Sequence, residues 1–350
     1  MNAFKNLVEF QKYFHSEEVC REFLEKNRWP NGLVCPFCQS QKVYRFSDGR
    51  RFKCAERTCN KKFTVTVGAI YENSKVPLQK WFLGMYIIEN HKKGISSCQL
   101  AKDIGVTQKS AWFMLHRIRE MMREKQNIKL DNIVEIDEVY IGGKVGNMSK
   151  KKRTLLRAAG KSYDTKTLVM GLIERGGDLK LMALDKSNDA NTLKPVIRKN
   201  VDFDAVVITD GLNSYCGLDE EFSGHEVINH AGDEYVRDGV IHTNTIEGAF
   251  SMLRRSIFGI YHKVSPKHLS RYCDETMYRY NSRKMKDTDR FTFSLNRIEG
   301  RLKYKNLIGK PGLTKYQIEN IDVEKLNNQV KKIEDDHDKW ERLAGNTDGE

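Results

Sequence analysis

No run of about 18 apolar residues occurs in this 350-residue chain, so nothing in it is expected to span a membrane as a helix. The first fourteen residues lack an apolar core and a small-residue cleavage site, so no secretory leader is expected. No internal repeat and no long low-complexity segment occurs. Eight cysteines do not make a disulfide framework here. Four are clustered, while Cys20, Cys98, Cys216 and Cys273 are scattered. That usage fits a reducing, cytoplasmic compartment.

Positive charge is abundant. The formal net charge is +13 and the pI about 9.2. Such an excess favours a polyanionic partner, most commonly nucleic acid. Residues 1–128 carry 23 Lys or Arg against 12 acids, whereas residues 316–350 carry 5 against 10. The basic surface is therefore at the front of the chain and the tail is acidic.

Residues 6–28 have helical periodicity, and residues 1–30 are expected to form an N-terminal helical segment. Residues 31–70 hold Cys35-Pro36-Phe37-Cys38, then Cys54 after fifteen intervening residues and Cys59 after four more. Two close thiolate pairs suit tetrahedral zinc in a structural ribbon. A block this small buries little core, so the metal would supply folding free energy. Its Arg50 and Arg51 belong to a basic stretch, 42–62, with eight Lys or Arg against two acids. That stretch suits contact with phosphates. Tyr44, Phe46, Phe52 and Phe63 are read as the ribbon's small core.

Residues 75–128 predict helices over 77–91 and 96–125. The second stretch contains a tight turn at Gly105, with Ser96 or Ser97 and Thr107 as caps. This is a helix-turn-helix pattern, and Gln108, Lys109 and Ser110 would open its recognition helix. Trp81, Trp112 and Phe113 are read as packing residues.

From Ile133 the pattern becomes β-β-β-α-β-(β)-α, an α/β layer with a mixed sheet. Asp137 lies inside the first strand, Asp210 ends the fourth, and Glu247 lies on the helix that follows. Singly, each acid has an ordinary explanation. Together they match an RNase H-like fold, which converges three carboxylates from separate elements. Two divalent cations there would serve an in-line phosphoryl transfer, and Mg²⁺ (or Mn²⁺) suits an oxygen donor set. Asn244 and Arg254 share a stripe with Glu247 on that helix. Residues 144–166, with eight Lys or Arg and one Asp, read as a basic arm in which Lys151, Lys152 and Arg153 would grip DNA. Residues 130–300 are expected to form the catalytic domain, closed by a helix ending near 281–283, and 301–350 a charged tail.

These motifs in combination resemble one transposase family, the ISXO-two-like insertion-sequence group fifteen-ninety-five, which is similar to Merlin elements. They are the cysteine block, the helix-turn-helix, the strand around Asp137, the Asp210-Gly211 strand end and the segment 242–283. The resemblance covers residues 15–300. It implies a DDE triad of Asp137, Asp210 and Glu247, with 36 residues between the last two. Asn244 competes as the third motif residue, and Arg254 stands where such enzymes often carry a base. The resemblance further implies double-stranded DNA partners, namely terminal inverted repeats and target DNA. It also implies a homo-oligomer on paired ends, association with the nucleoid, and no membrane role. A structure-selective nuclease or resolvase on the same fold is the first alternative. A transposase-derived DNA-binding regulator is the second.

Overall fold

The structure is a computed structural model that describes residues 4–143, 149–150, 153–154, 166–184, 188–228, 236–237 and 239–309. Two helices, α1 (Leu7–Tyr13) and α2 (Glu17–Arg28), replace the single helical stretch expected over 6–28. Ser16 causes the break. Its hydroxyl accepts from Val19 N at 3.3 Å and starts a new helix.

The ribbon follows as an antiparallel sheet of β1 (Val43–Arg45), β2 (Arg51–Cys54) and β3 (Lys62–Thr64). Phe52 and Phe63 are buried with Cys35 and Cys54. Tyr44, expected in this core, is 64% exposed. Strand alternation turns Val43 inward and Tyr44 outward, and Trp29 from the end of α2 fills in against Phe52 instead.

Helices α3 (Leu78–Asn90), α4 (Ser97–Ile104) and α5 (Gln108–Met122) complete the N-terminal half. Pro77 stands just ahead of α3 as its cap residue, one position before the first turn. Ser96 caps α4 through Gln99 N, and Thr107 caps α5 through Ser110 N. Gly105 joins them with φ 61°, a left-handed conformation that glycine adopts at little cost. Only the start of α5 faces solvent. From Met114 to Met122 every residue except Glu120 is buried.

The larger sheet has the order β6-β5-β4-β7-β8. Its strands are β4 (Ile133–Ile141), β5 (Thr167–Glu174), β6 (Leu179–Leu184), β7 (Val206–Asp210) and β8 (Gly224–Ile228). The first three pair antiparallel, and β4-β7-β8 pair parallel. This is the mixed sheet expected for an RNase H-like α/β domain. One face packs on α6 (Ala190–Asn200) through Leu193 and Ile197. The other packs on α7 (Asn244–Ser256) and α8 (Pro266–Asn281) through Ile246, Phe250, Leu253 and Leu269. Each such apolar side chain, once buried, contributes about 1.5–3 kcal/mol. The α7 helix ends at Ser256 and runs on into a wider π-type turn, Ile257–Tyr261.

The two halves are joined by buried chemistry. Arg119 on α5 pairs with Glu275 on α8 at 2.5 Å, and both side chains are 1% exposed. Burial opposes the Glu275 charge, but Arg119 and Arg279 bring its carboxyl down to about 2. After α8 the chain turns back. α9 (Asp287–Leu295) inserts Phe291 among Phe10, Phe14 and Phe82 of the N-terminal helices. Ile298 O then accepts from Ile70 N at 2.8 Å. A last short helix, α10 (Tyr304–Ile308), follows. Among the described residues no helix is long and apolar enough to cross a membrane.

Candidate catalytic and metal sites

In the ribbon, the four cysteines converge. Sγ atoms of Cys35, Cys38, Cys54 and Cys59 all lie within 4.8 Å of one another. Zinc–sulfur bonds of about 2.3 Å in a tetrahedron put sulfurs about 3.8 Å apart. The pairs Cys35–Cys59 and Cys38–Cys54 stand at 3.7 and 3.6 Å. Burial opposes ionisation of Cys35, yet hydrogen bonds from the Phe37 and Cys38 backbones bring its thiol down to about 7. The donor set fits zinc, and the four-residue knuckle between Cys54 and Cys59 brings the second pair to the first.

In the large sheet, β4 and β7 run side by side only from Ile133↔Val206 to Glu135↔Ile208. The β4–β5 ladder continues to Ile141↔Thr167. Past Glu135, the β7-side edge of β4 is therefore open among the described residues. Asp137 and Glu138 straddle that edge opposite Asp210, the last residue of β7. Their carboxylates lie within 4.8 Å of one another. Asp137 Oδ1 accepts from Glu138 N at 2.7 Å, and Asp210 Oδ1 accepts from Leu212 N at 3.1 Å.

Glu138 joins the two expected aspartates in this cluster. Its side chain receives the Tyr215 hydroxyl. Burial first, and then the Asp137 and Asp210 charges, push Glu138 up to about 7 against the pull of that hydrogen bond. Burial and the same carboxylates keep Tyr215 protonated. The available signal was three acids in four positions of one strand, 135, 137 and 138, with a tyrosine five residues after Asp210.

Three crowded acids repel one another unless a cation neutralises them, and an all-oxygen donor set suits a hard divalent cation. The residues fit such an ion. Glu247 is not in that cluster. It sits exposed in the first turn of α7, one turn beyond the equally exposed Asn244, and Arg254 is exposed in the last turn.

The DNA-contact candidates come from the ribbon, the start of α5 and the basic arm. Gln108 and Lys109 are exposed. Gln108 Nε2 donates to Ser97 Oγ at 2.8 Å, and Lys109 lies over the Tyr304 ring at 5.3 Å. Ser110 is half-buried beside Thr107. Arg50 reaches Glu18 at 3.3 Å, and Arg51 pairs with Asp48 at 2.5 Å while covering Phe46. Arg153 is half-buried. Lys151, Lys152, most of the basic arm and the acidic tail lie outside the described residues. Trp81 is buried with its indole N–H on Ser74 Oγ. Trp112 and Phe113 pack against His116 and Tyr304, as expected of packing residues.

Known proteins agree with this layout. Residues 129–281 match the ISXO2-like transposase domain, and residues 15–62 match a transposase zinc-ribbon domain of the same group. The first match runs from the approach to β4 to the end of α8 and so contains the carboxylate cluster. A protein of transposable element ISH50 from Halobacterium salinarum, itself uncharacterized, is 29% identical over 253 residues. That alignment spans 70% of this chain and 84% of the relative. With the group's zinc ribbon and its DDE-type domain both present, in that order, the chain belongs to the ISXO2-like insertion-sequence transposases.

Proposed function

We propose that the protein cuts DNA at the ends of its element and joins the freed ends to target DNA, with Asp137, Asp210 and Glu247 as the acidic triad. The observation that carries this reading is the meeting of Asp137 and Asp210 at the open edge of β4, inside the transposase-domain match. Divalent cations held there, Mg²⁺ or Mn²⁺, would supply charge neutralisation to the attacking and leaving oxygens of a phosphodiester.

The chain's own residues do the rest. Asp137 and Asp210 hold the reacting phosphate's counter-charge at the sheet edge. Glu247, on α7, would supply the third carboxylate, with Asn244 one turn away. Arg254, two turns along that helix, would pair with a flanking phosphate. Gln108, Lys109 and Ser110 at the start of α5 are suited to read base edges of the terminal repeats. Arg50, Arg51 and the arm residues Lys151, Lys152 and Arg153 would hold backbone phosphates, so binding should weaken steeply with salt. The zinc in the ribbon is structural. Two ends imply two copies of the chain acting together, at the chromosome in the cytoplasm.

Asp137→Ala should lower end cleavage by roughly 10⁴-fold, the scale of losing a core catalytic group. Binding of a terminal-repeat oligonucleotide, measured by gel shift, should stay within a few-fold of wild type. Wild-type cleavage by that variant would sink the assignment. Cleavage of ends without any joining by the native protein would favour a nuclease or resolvase instead.

A further inference from the structure

We infer that Glu135 is a positioning residue for the cation site, fixing the first turn of α7 to the strand that carries Asp137. The inference rests on the proposed function, because it concerns how Glu247 and Asn244 reach that site.

Glu135 is fully buried on β4, where an ionisable side chain needs partners on all sides. It has them. Its carboxylate accepts from Thr245 N at 2.9 Å, Ile246 N at 3.1 Å, Thr245 Oγ1 at 2.8 Å and Arg175 Nε at 2.7 Å. His242 Nδ1 stands 3.3 Å away. The first N–H groups of a helix have no partner within it, and Thr243 offers α7 no side-chain cap. A carboxylate from a strand 110 residues upstream takes that role. Its negative charge also suits the positive end of the helix dipole.

The same carboxylate organises the approach to the helix. Arg175, in the β5–β6 turn, bonds Glu135 and also donates to the backbone oxygens of Val240 and His242. Strand alternation puts Glu135 and Asp137 on one face of β4, the face covered by α7. Beneath α7 lies Gly171, which pairs with Asp137 across the β4–β5 ladder. A Cβ there would come within 2.6 Å of Ile246 Cδ1 and 2.7 Å of the Phe250 ring. The helix therefore rests directly on the sheet, with its start pinned two residues from Asp137. Asn244 and Glu247 lie in that pinned turn. Glu135 stands outside the carboxylate cluster, and its oxygens serve α7 and Arg175.

The test is Mn²⁺ affinity of the full-length protein, followed by the EPR signal of free Mn²⁺. Glu135→Gln turns an acceptor oxygen into a donor facing two N–H groups. It should weaken Mn²⁺ binding by about tenfold, the usual scale for groups that orient a ligand. Glu247→Ala should weaken it to a similar degree. The double variant should bind no more weakly than Glu247→Ala alone, since a misplaced Glu247 and a missing one are equivalent. Multiplying losses in the double variant would mean a general loosening, and would overturn the inference. So would unchanged binding in a folded Glu135→Gln protein. If Glu135→Gln does not fold, Thr245→Val removes a single bond to Glu135 and should give a few-fold loss that again vanishes in the Glu247→Ala background. Loss that persists there overturns the inference as well. Undiminished Mn²⁺ binding by Asp137→Ala would instead bring down the cation-site reading itself, and this inference with it.

Discussion

The ribbon and the large sheet both gather charged ligands, but they do so from opposite directions. Around the four cysteines, the buried residues are Cys35, Phe52, Cys54 and Phe63, so half of the ribbon's core is its own ligand set. Around the carboxylates, two apolar layers close on either side of a five-stranded sheet, and none of Asp137, Glu138 or Asp210 belongs to them. In the ribbon the ligands make the fold. In the sheet the fold brings together ligands that would otherwise repel. The difference teaches where each site is fragile: the first to loss of metal, the second to small changes in packing.

Removing the zinc should break the comparison most forcefully. Structural zinc in small finger-like units contributes on the order of 10 kcal/mol, more than two buried phenylalanines can replace. A strong chelator should abolish hydrogen-exchange protection across residues 43–64 and leave β4 to β8 protected. Protection in the ribbon that survives a zinc-free preparation would contradict the account.

Gly171→Ala should act in the reverse sense. Its methyl group would meet Ile246 and Phe250 at under 3 Å, so α7 must lift or the core must shift. Overpacking of this kind costs about 1–3 kcal/mol. The melting temperature of the sheet domain should fall and the zinc content should stay the same. A fully stable variant would mean that α7 is not seated on the sheet as described.

Protonation offers the smallest and sharpest contrast. Burial and its acidic neighbours raise Glu138 from 4.5 to about 7. A raised folded-state value means that stability is fully present below the unfolded value and is lost as pH rises through the folded one. Without divalent cations, stability should therefore decline between pH 4.5 and 7, and Glu138→Gln should flatten that decline. Added Mg²⁺ should reverse it, since the cation favours the ionised cluster. Chemical denaturation at pH 5 and pH 7 reads both effects. An equally steep decline in Glu138→Gln would remove Glu138 from the account.

Much of this arrangement was legible in the sequence because it depends on local pattern. Cysteine spacing, the Ser96 and Thr107 caps, Gly105 and the alternation of strands are all short-range signals. Asp137 and Asp210 were legible because acids at strand positions are uncommon and need a cause. What was missed depends on tertiary contact. Glu135 and Glu138 read as neighbours of Asp137, but they lie on opposite faces of β4, and what each face meets is set by distant elements. One reaches through the interior to α7 and the other turns to Tyr215. Likewise Phe291 has no mark in the sequence that sends it back to Phe10 and Phe82. Tyr44 reads as core because it is aromatic, yet its strand parity puts it outside.

The central claim is that the Asp137–Asp210 edge performs DNA strand transfer. It is tested most directly by joining of a precut terminal-repeat end to plasmid DNA by Asp210→Asn protein, in Mg²⁺. That substitution keeps the side chain's size and its hydrogen bond from Leu212 N while removing the charge. The account predicts no detectable joining, with end binding and zinc content as in the wild type. Joining at the wild-type rate would contradict it.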